Sequence, residues 1–193
     1  ITRDNNTVTI HTPEIKNTRV ISLSRKNRIP VLALGPLLAR TGEAEIPLLG
    51  GDKIGPRPID MHLEALKEMG ATIEKRESSY YAHAKNRLRG VKIQLRYPSV
   101  GATENTILAA TLAKGRTVIE NAATEPEIID LIKMLQNMGA IIELGANRTI
   151  YIDGVTSLRG IEHTIPPDRN EAASFACLAV ASRGDVFIRN AKQ

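Results

Sequence analysis

The chain has 193 residues, 42% hydrophobic and 24% charged, with 26 Lys and Arg against 21 Asp and Glu. Those proportions suit a soluble globular chain with enough apolar residue for a core, and no apolar run approaches the ~20 residues needed to cross a bilayer. The positive balance favours anionic partners, but the bases are scattered and aromatics reach only 3%, which argues against a nucleic-acid surface and leaves small phosphorylated ligands or plain solvation.

Taken in chain order, residues 1 to 23 read as short strands only. A small-residue helix is predicted over Pro30 to Arg40, then a glycine and a short strand. The loop "LLGGDKIGPRPID" (Leu48 to Asp60) follows, and after it an amphipathic helix, Ile59 to Met69, with Ile59, Leu63 and Leu66 on one face. Gly70 closes that helix in the way a glycine just past a helix end does. Three strand-like pieces come next: "ATIEKR", "YYAHAK" and "GVKIQL". The series then recurs. "PSVGATEN" leads into a helix over Asn105 to Lys114, a strand follows, and "TEPE" (Thr124 to Glu127) reads as a capping box before a helix carrying Ile128, Leu131, Leu135 and Met138. Gly139 closes it. "PDRNE" opens a third small-residue helix, Glu171 to Arg183, followed by a glycine and a strand.

The recurrence is in register. "PIDMHLEALKEMGATI" from Pro58 and "EIIDLIKMLQNMGAII" from Glu127 are 69 positions apart (127 − 58), and "TLAKGRTVIENA" and "VASRGDVFIRNA" share that offset. Repeats of this kind stack one supersecondary unit on the next. The first helix of each unit, as in "ILAATLA" and "FACLAVA", has no polar face for water, so these helices are expected to be buried, with sheets outside them. The class is α/β. The chain is out of phase with its repeat, holding a tail, two full units and a head, and reads as a piece of something longer.

The repeat serves as its own control. Ile46 to Gly70 spans 24 positions and Ile119 to Gly139 spans 20, so the first unit carries four extra residues, in the Gly/Pro loop. An insertion specific to one repeat often marks a binding face. Arg57 and Pro58 stand at a helix start, where free N–H groups favour an anion. Asp52 is a candidate proton carrier; a turn residue facing solvent is the plainer reading of Asp52 and Lys53. Ser99, Gly101 and Thr103 form a second candidate anion site before a helix, against ordinary capping. Arg28, Ser99 and Arg169 occupy the mouths of equivalent helices, whose N-termini would share one cleft if packed side by side. His62 lies one turn into its helix, within reach of a ligand there; a surface position reads nearly as well. His11, His83 and His163 are placed in strands without metal-ligand spacing, so no metal is expected. Cys177, the sole cysteine, is expected to be inert packing in a buried helix and fits a reducing cytoplasm.

"ALGPLLAR", "GGDKIGPRPIDMHLEALKEMGA", "SVGATEN", "ENAATEPEIIDL" and "PPDRNEA" closely resemble the UDP-N-acetylglucosamine 1-carboxyvinyltransferases, which are enolpyruvyl transferases. The resemblance implies two inside-out α/β barrel domains, each of three repeats around buried helices. Residues 1–166 would be the later part of the catalytic-loop domain and 167–193 the start of the second. It implies transfer of the enolpyruvyl group of phosphoenolpyruvate to the 3′-hydroxyl of UDP-N-acetylglucosamine, in peptidoglycan synthesis in the cytoplasm, without a cofactor and without nucleic-acid or membrane partners.

By motif, the loop Gly50 to Arg57 resembles the family's mobile active-site loop. Asp52 falls where most members carry a Cys that acts as general acid and is alkylated by fosfomycin. An aspartate used as an acid near neutral pH must hold its proton more tightly than in water; exclusion of water supplies that, and Lys53 and Arg57 oppose it. Arg57 would hold the phosphate of phosphoenolpyruvate. Pro58, Ile59, Asp60 and Met61 would line the uridine site with His62 beside them. Arg28 and the Ser99–Val100–Gly101 turn would bind phosphates. Tyr97 and Pro98 begin a nucleotide segment that often has a Lys, and Glu125, Asp168 and Arg169 match further active-site or hinge positions. The family chain is about twice this long, and its N-terminal Lys–Asn motif and C-terminal proton-accepting Asp are absent, so this piece alone is expected to be inactive. The shikimate-pathway synthase and a non-catalytic nucleotide-sugar-binding repeat domain are the alternatives.

Overall fold

The computed structural model describes residues 1–23, 26–51, 55 and 58–191. They form two compact units, 1–160 and 161–193.

In the first unit, a hairpin of β1 (Thr2–Asp4) and β2 (Thr7–Thr9) comes first, with every residue exposed. The first small-residue helix is broken in two. A 3-10 turn over Ile29–Ala33 leads into α1 (Leu34–Thr41). Pro30 and Pro36 explain the break: each lacks an N–H, so each is tolerated only in a first turn. Strand β3 (Glu43–Pro47) pairs antiparallel with β5 (Ser79–His83), which pairs with β4 (Thr72–Lys75), giving the order β3-β5-β4. Between them runs α2 (Asp60–Glu68).

The second repeat has the same plan. Helix α3 (Val100–Ala110), β7 (Arg116–Glu120), α4 (Pro126–Asn137), β8 (Ile141–Leu144) and β9 (Ile150–Asp153) match the first set, and β6 (Lys92–Gln94) joins β7 in parallel, giving β6-β7-β9-β8. The first sheet has a vestige of that fourth strand, where Arg19 bridges Glu45 in parallel. Gly70 and Gly139, just past α2 and α4, both have φ of 104°, a left-handed conformation that a side chain would strain. The backbone repeats down to single bonds: Arg89 N–H donates to Met69 O at 3.0 Å and Arg159 N–H to Met138 O at 2.9 Å.

Helix α3 is the centre of the core. Ala102, Ile107, Ala109 and Ala110 are all 0% exposed, and α1, α2 and α4 pack around it. It begins five residues before the expected Asn105, because Gly101, Thr103 and Glu104 continue the helix instead of forming its approach. The capping box at Thr124 does not form. Glu125 is the N-cap of α4, with no side-chain cap bond, and its Oε2 accepts from Thr124 N–H at 2.8 Å. Pro126 at the first position sets the start instead.

The second unit contains α5 (Arg169–Ser182), whose N-cap Asp168 accepts from Asn170 N–H at 2.7 Å. Three expectations fail here. Helix α5 buries none of its residues, Cys177 is exposed, and Asp185 to Ile188 form no strand. A strand needs a neighbour for its backbone groups, and no described residue after Asp153 is in a strand. Of the three histidines placed in strands, only His83 is in one. No described helix is long and apolar enough to cross a membrane.

Candidate functional site

Three helix mouths meet in the first unit. Arg28, the N-cap of the 3-10 turn, donates from Nη2 to Pro58 O at 3.1 Å. That ties the first mouth to the lead of α2. Ile59 is the N-cap of α2, with its side chain buried; Asp60 is half-buried and caps itself, Oδ1 accepting from Met61 N–H at 2.9 Å. Arg96, just after β6, pairs with the other Asp60 oxygen. That hydrogen bond, against some burial, holds the Asp60 carboxyl below its ordinary range. So Asp60 is a fixed anion at a helix N-terminus, favoured there by the helix dipole.

The mouth of α3 is built from Ser99. Its N–H donates to Tyr97 O at 2.8 Å, and its Oγ accepts from Ala102 N–H at 3.3 Å as the helix N-cap. Val100 and Gly101 form the first turn. Tyr97 is 54% exposed and Pro98 half-buried. His62 joins this mouth to α2. It is 6% exposed, not a surface residue. Its imidazole lies against Gly101, where an added Cβ would come within 3.1 Å of Cε1. Burial first, and Arg28 second, push its pKa down to about 4, with Asp60 opposing.

A cleft of about 350 Å³ opens along α2, its lining including Pro58, Ile59, Asp60, Lys67, Lys75 and Tyr80. A neighbouring cleft of about 240 Å³ shares Pro58, Ile59, Lys75 and Tyr80 and adds Arg28. The first is the more apolar, with Lys67 and Lys75 beside the Asp60 carboxylate; the second is mostly polar, with Arg28 and Lys75 as its cations. Together they are a setting for an anionic ligand with a flat apolar part.

Of the expected residues, the structure brings together Arg28, Pro58, Ile59, Asp60, Met61, His62 and the turn from Tyr97 to Gly101. Glu125 is the N-cap of α4, two residues from Ala123, whose N–H donates to Thr103 Oγ1 of α3 at 3.0 Å. Asp168 and Arg169 belong to the second unit. Asp52, Lys53 and Arg57 lie outside the described residues. Sequence reasoning missed Arg96, Lys75, Tyr80 and Glu104. The last is half-buried on α3, and burial first, then Glu127, raises its pKa. A signal existed for Arg96 alone, as a base three residues before the Ser99 cap.

A family model described as EPSP synthase (3-phosphoshikimate 1-carboxyvinyltransferase) matches residues 1–193. The chain is 51% identical over 187 residues to a UDP-N-acetylglucosamine 1-carboxyvinyltransferase of Protochlamydia amoebophila, covering 94% of this chain and 40% of that protein. The protein of the same name from Chlamydia pneumoniae is 54% identical over 186 residues, with 95% and 41% covered. The chain thus spans about two-fifths of the length of these curated relatives. Among solved structures it resembles the enolpyruvyl transferase NikO from Streptomyces tendae, with TM-score 0.63, 25% identity, and 76% of this chain and 35% of that chain covered. An EPSP synthase from Acinetobacter baumannii shares the fold, with TM-score 0.58, 23% identity, and 75% and 32% covered. The chain belongs to the EPSP synthase family.

Proposed function

We propose that the intact protein carrying this chain transfers the enolpyruvyl group of phosphoenolpyruvate to the 3′-hydroxyl of UDP-N-acetylglucosamine, releasing phosphate for peptidoglycan synthesis in the cytoplasm. The observation that carries the reading is the 51% identity, over 94% of the chain, to a protein bearing that name. In this reading the chain supplies the later repeats of an inside-out α/β barrel, and residues 167–193 begin a second one. The central burial of α3 supports the barrel.

Pro58 to Met61 and the cleft beside them would hold the nucleotide. Arg28 and the Ser99–Val100–Gly101 turn would hold phosphate, with Tyr97 and Pro98 leading into it; Glu125, Asp168 and Arg169 would complete the site or its hinge. Asp52 is proposed as the acid that protonates C3 of phosphoenolpyruvate. The sugar oxygen then attacks C2 and loses its proton; C3 next gives up a proton, the C2–O bond to phosphate breaks, and phosphate leaves as the double bond re-forms. Arg57 would neutralise the phosphate. No nucleic acid, membrane or cofactor enters the reaction.

The test is phosphate release by the intact protein supplied with both substrates. Turnover is expected with UDP-N-acetylglucosamine and none for residues 1–193 alone. Because the family model is described as a 3-phosphoshikimate transferase, 3-phosphoshikimate is the second acceptor to assay, and turnover with it alone would overturn the reading. Fosfomycin should not inhibit, since Asp52 offers no thiolate. A fosfomycin adduct on that loop, seen by mass spectrometry, would contradict the role given to Asp52.

A further inference from the structure

The mouths of α2 and α3 are joined inside the core by a chain of hydrogen bonds. Gly35 N–H, in α1, donates to Asn105 Oδ1 at 2.9 Å. That bond settles which end of the Asn105 amide is oxygen, because a backbone N–H requires an acceptor. The amide nitrogen therefore faces His62, with Nδ2 3.4 Å from Nδ1. A donor there requires a lone pair on Nδ1, so the proton of the neutral ring sits on Nε2. Protonating Nδ1 would set one N–H against another.

The chain has no slack. A Cβ on Gly35 would come within 2.5 Å of Asn105 O, and one on Gly101 within 3.1 Å of His62 Cε1. Asn105 is 0% exposed and His62 6%. Arg28 and Asp60 are the charged groups acting on the ring, and its contacts on α3, Gly101 and Asn105, are uncharged.

We propose that His62 is a positioning residue: a neutral imidazole, pinned between Asn105 and Gly101, that sets the register of the Pro58–Met61 mouth against the Ser99–Gly101 mouth. It acts on the nucleotide-sugar through those backbones, and to that extent rests on the function proposed above. His62→Asn keeps an acceptor where Nδ1 stands; His62→Gln moves it away.

Two measurements on the intact protein decide it. Nitrogen-15 imidazole shifts of the unaltered protein should report a proton on Nε2 that persists below pH 6, and the amide resonances of Ser99 to Ala102 should move in His62→Gln but not in His62→Asn. By calorimetry, His62→Gln should bind UDP-N-acetylglucosamine about tenfold more weakly, the loss of roughly one buried hydrogen bond, and His62→Asn within about threefold of the unaltered protein. An imidazole that titrates as an exposed one does, amide shifts alike in both variants, or equal affinities would each overturn the proposal. Failure of the unaltered protein to bind the nucleotide-sugar, with the nuclear-resonance results as expected, would sink the proposed function and leave the pin standing.

Discussion

The two full repeats have one backbone plan and different interiors. Strand β3 ends at Pro47 and α2 starts at Asp60, leaving 12 residues between; β7 ends at Glu120 and α4 starts at Pro126, leaving 5. Four of the seven extra positions are inserted residues, and the other three are taken up by α4 starting a turn earlier. At the middle of β3 stands Glu45, 3% exposed. Its carboxylate accepts from Ser79 Oγ at 2.7 Å, Arg19 Nε at 2.7 Å and Arg76 Nη1 at 3.2 Å. The Ser79 bond is the largest cause of its lowered pKa. The same place in β7, 73 positions on (118 − 45), holds Val118, and the place of His62, 69 positions on, holds Leu131. Both repeats bury polar groups, Glu45, His62 and Ser79 in the first and Thr103, Asn105, Thr106, Thr111 and Thr117 in the second. The first differs in burying ionisable ones and in its longer connection, so two copies of one plan carry different fillings.

That contrast can be broken at several depths. Leu66 and Leu135 are equivalent and buried, at 0% and 4% exposed. Truncating either to Ala should cost about 3 kcal/mol by urea unfolding, and a gap between them of more than about 2 kcal/mol would refute equal packing of the repeats. Next comes acid. His62 has a folded pKa of about 4 against an ordinary 6.5, so the unfolded chain binds the extra proton. Its contribution is complete above pH ~6.5 and is lost as pH falls towards 4, to the extent of ~3 kcal/mol. His62→Leu, which copies the second repeat, should remove that slope. Glu45→Val makes the same copy in the sheet. Arg19 and Arg76 are 63% and 43% exposed and can turn to water; Ser79, 3% exposed, cannot. The expected loss is therefore nearer ~2 kcal/mol than the cost of a fully buried pair, and chemical denaturation at pH 7 would measure it. The smallest effect belongs to the loop. Removing four residues from the 48–59 connection should shift stability by a few tenths of a kcal/mol, since closure entropy varies only slowly with length. A cooperative loss of fold would show that the loop supports the repeat.

Much of this was legible in the sequence because it is written in short-range pattern. The repeat, the glycines after α2 and α4, the Ser99 cap and the α/β class all follow from spacing. What failed did so for want of a partner. Gly101, Thr103 and Glu104 look like a loop until the core they enter is known. His62 reads as a residue in reach of a ligand or at the surface, and neither reading finds its partner Asn105, which is 43 positions away. Arg96 had a local signal before the Ser99 cap, but its pairing with Asp60, 36 positions away, did not. Helix α5 has the composition of a buried helix, but composition does not say what covers it.

The parallel pairing of β6 with β7 has one more consequence. β6 is spelled by the first repeat and hydrogen-bonded by the second, just as Arg19 and Val20 are spelled before the first and bonded to Glu45 within it. Each full repeat thus receives a strand or bridge from the segment before it, and the cooperative unit is offset from the sequence unit. Neither repeat can melt without stripping an edge from the other or from itself. The pair should come apart in a single transition, and a break in the chain near Val91 should loosen both repeats at once.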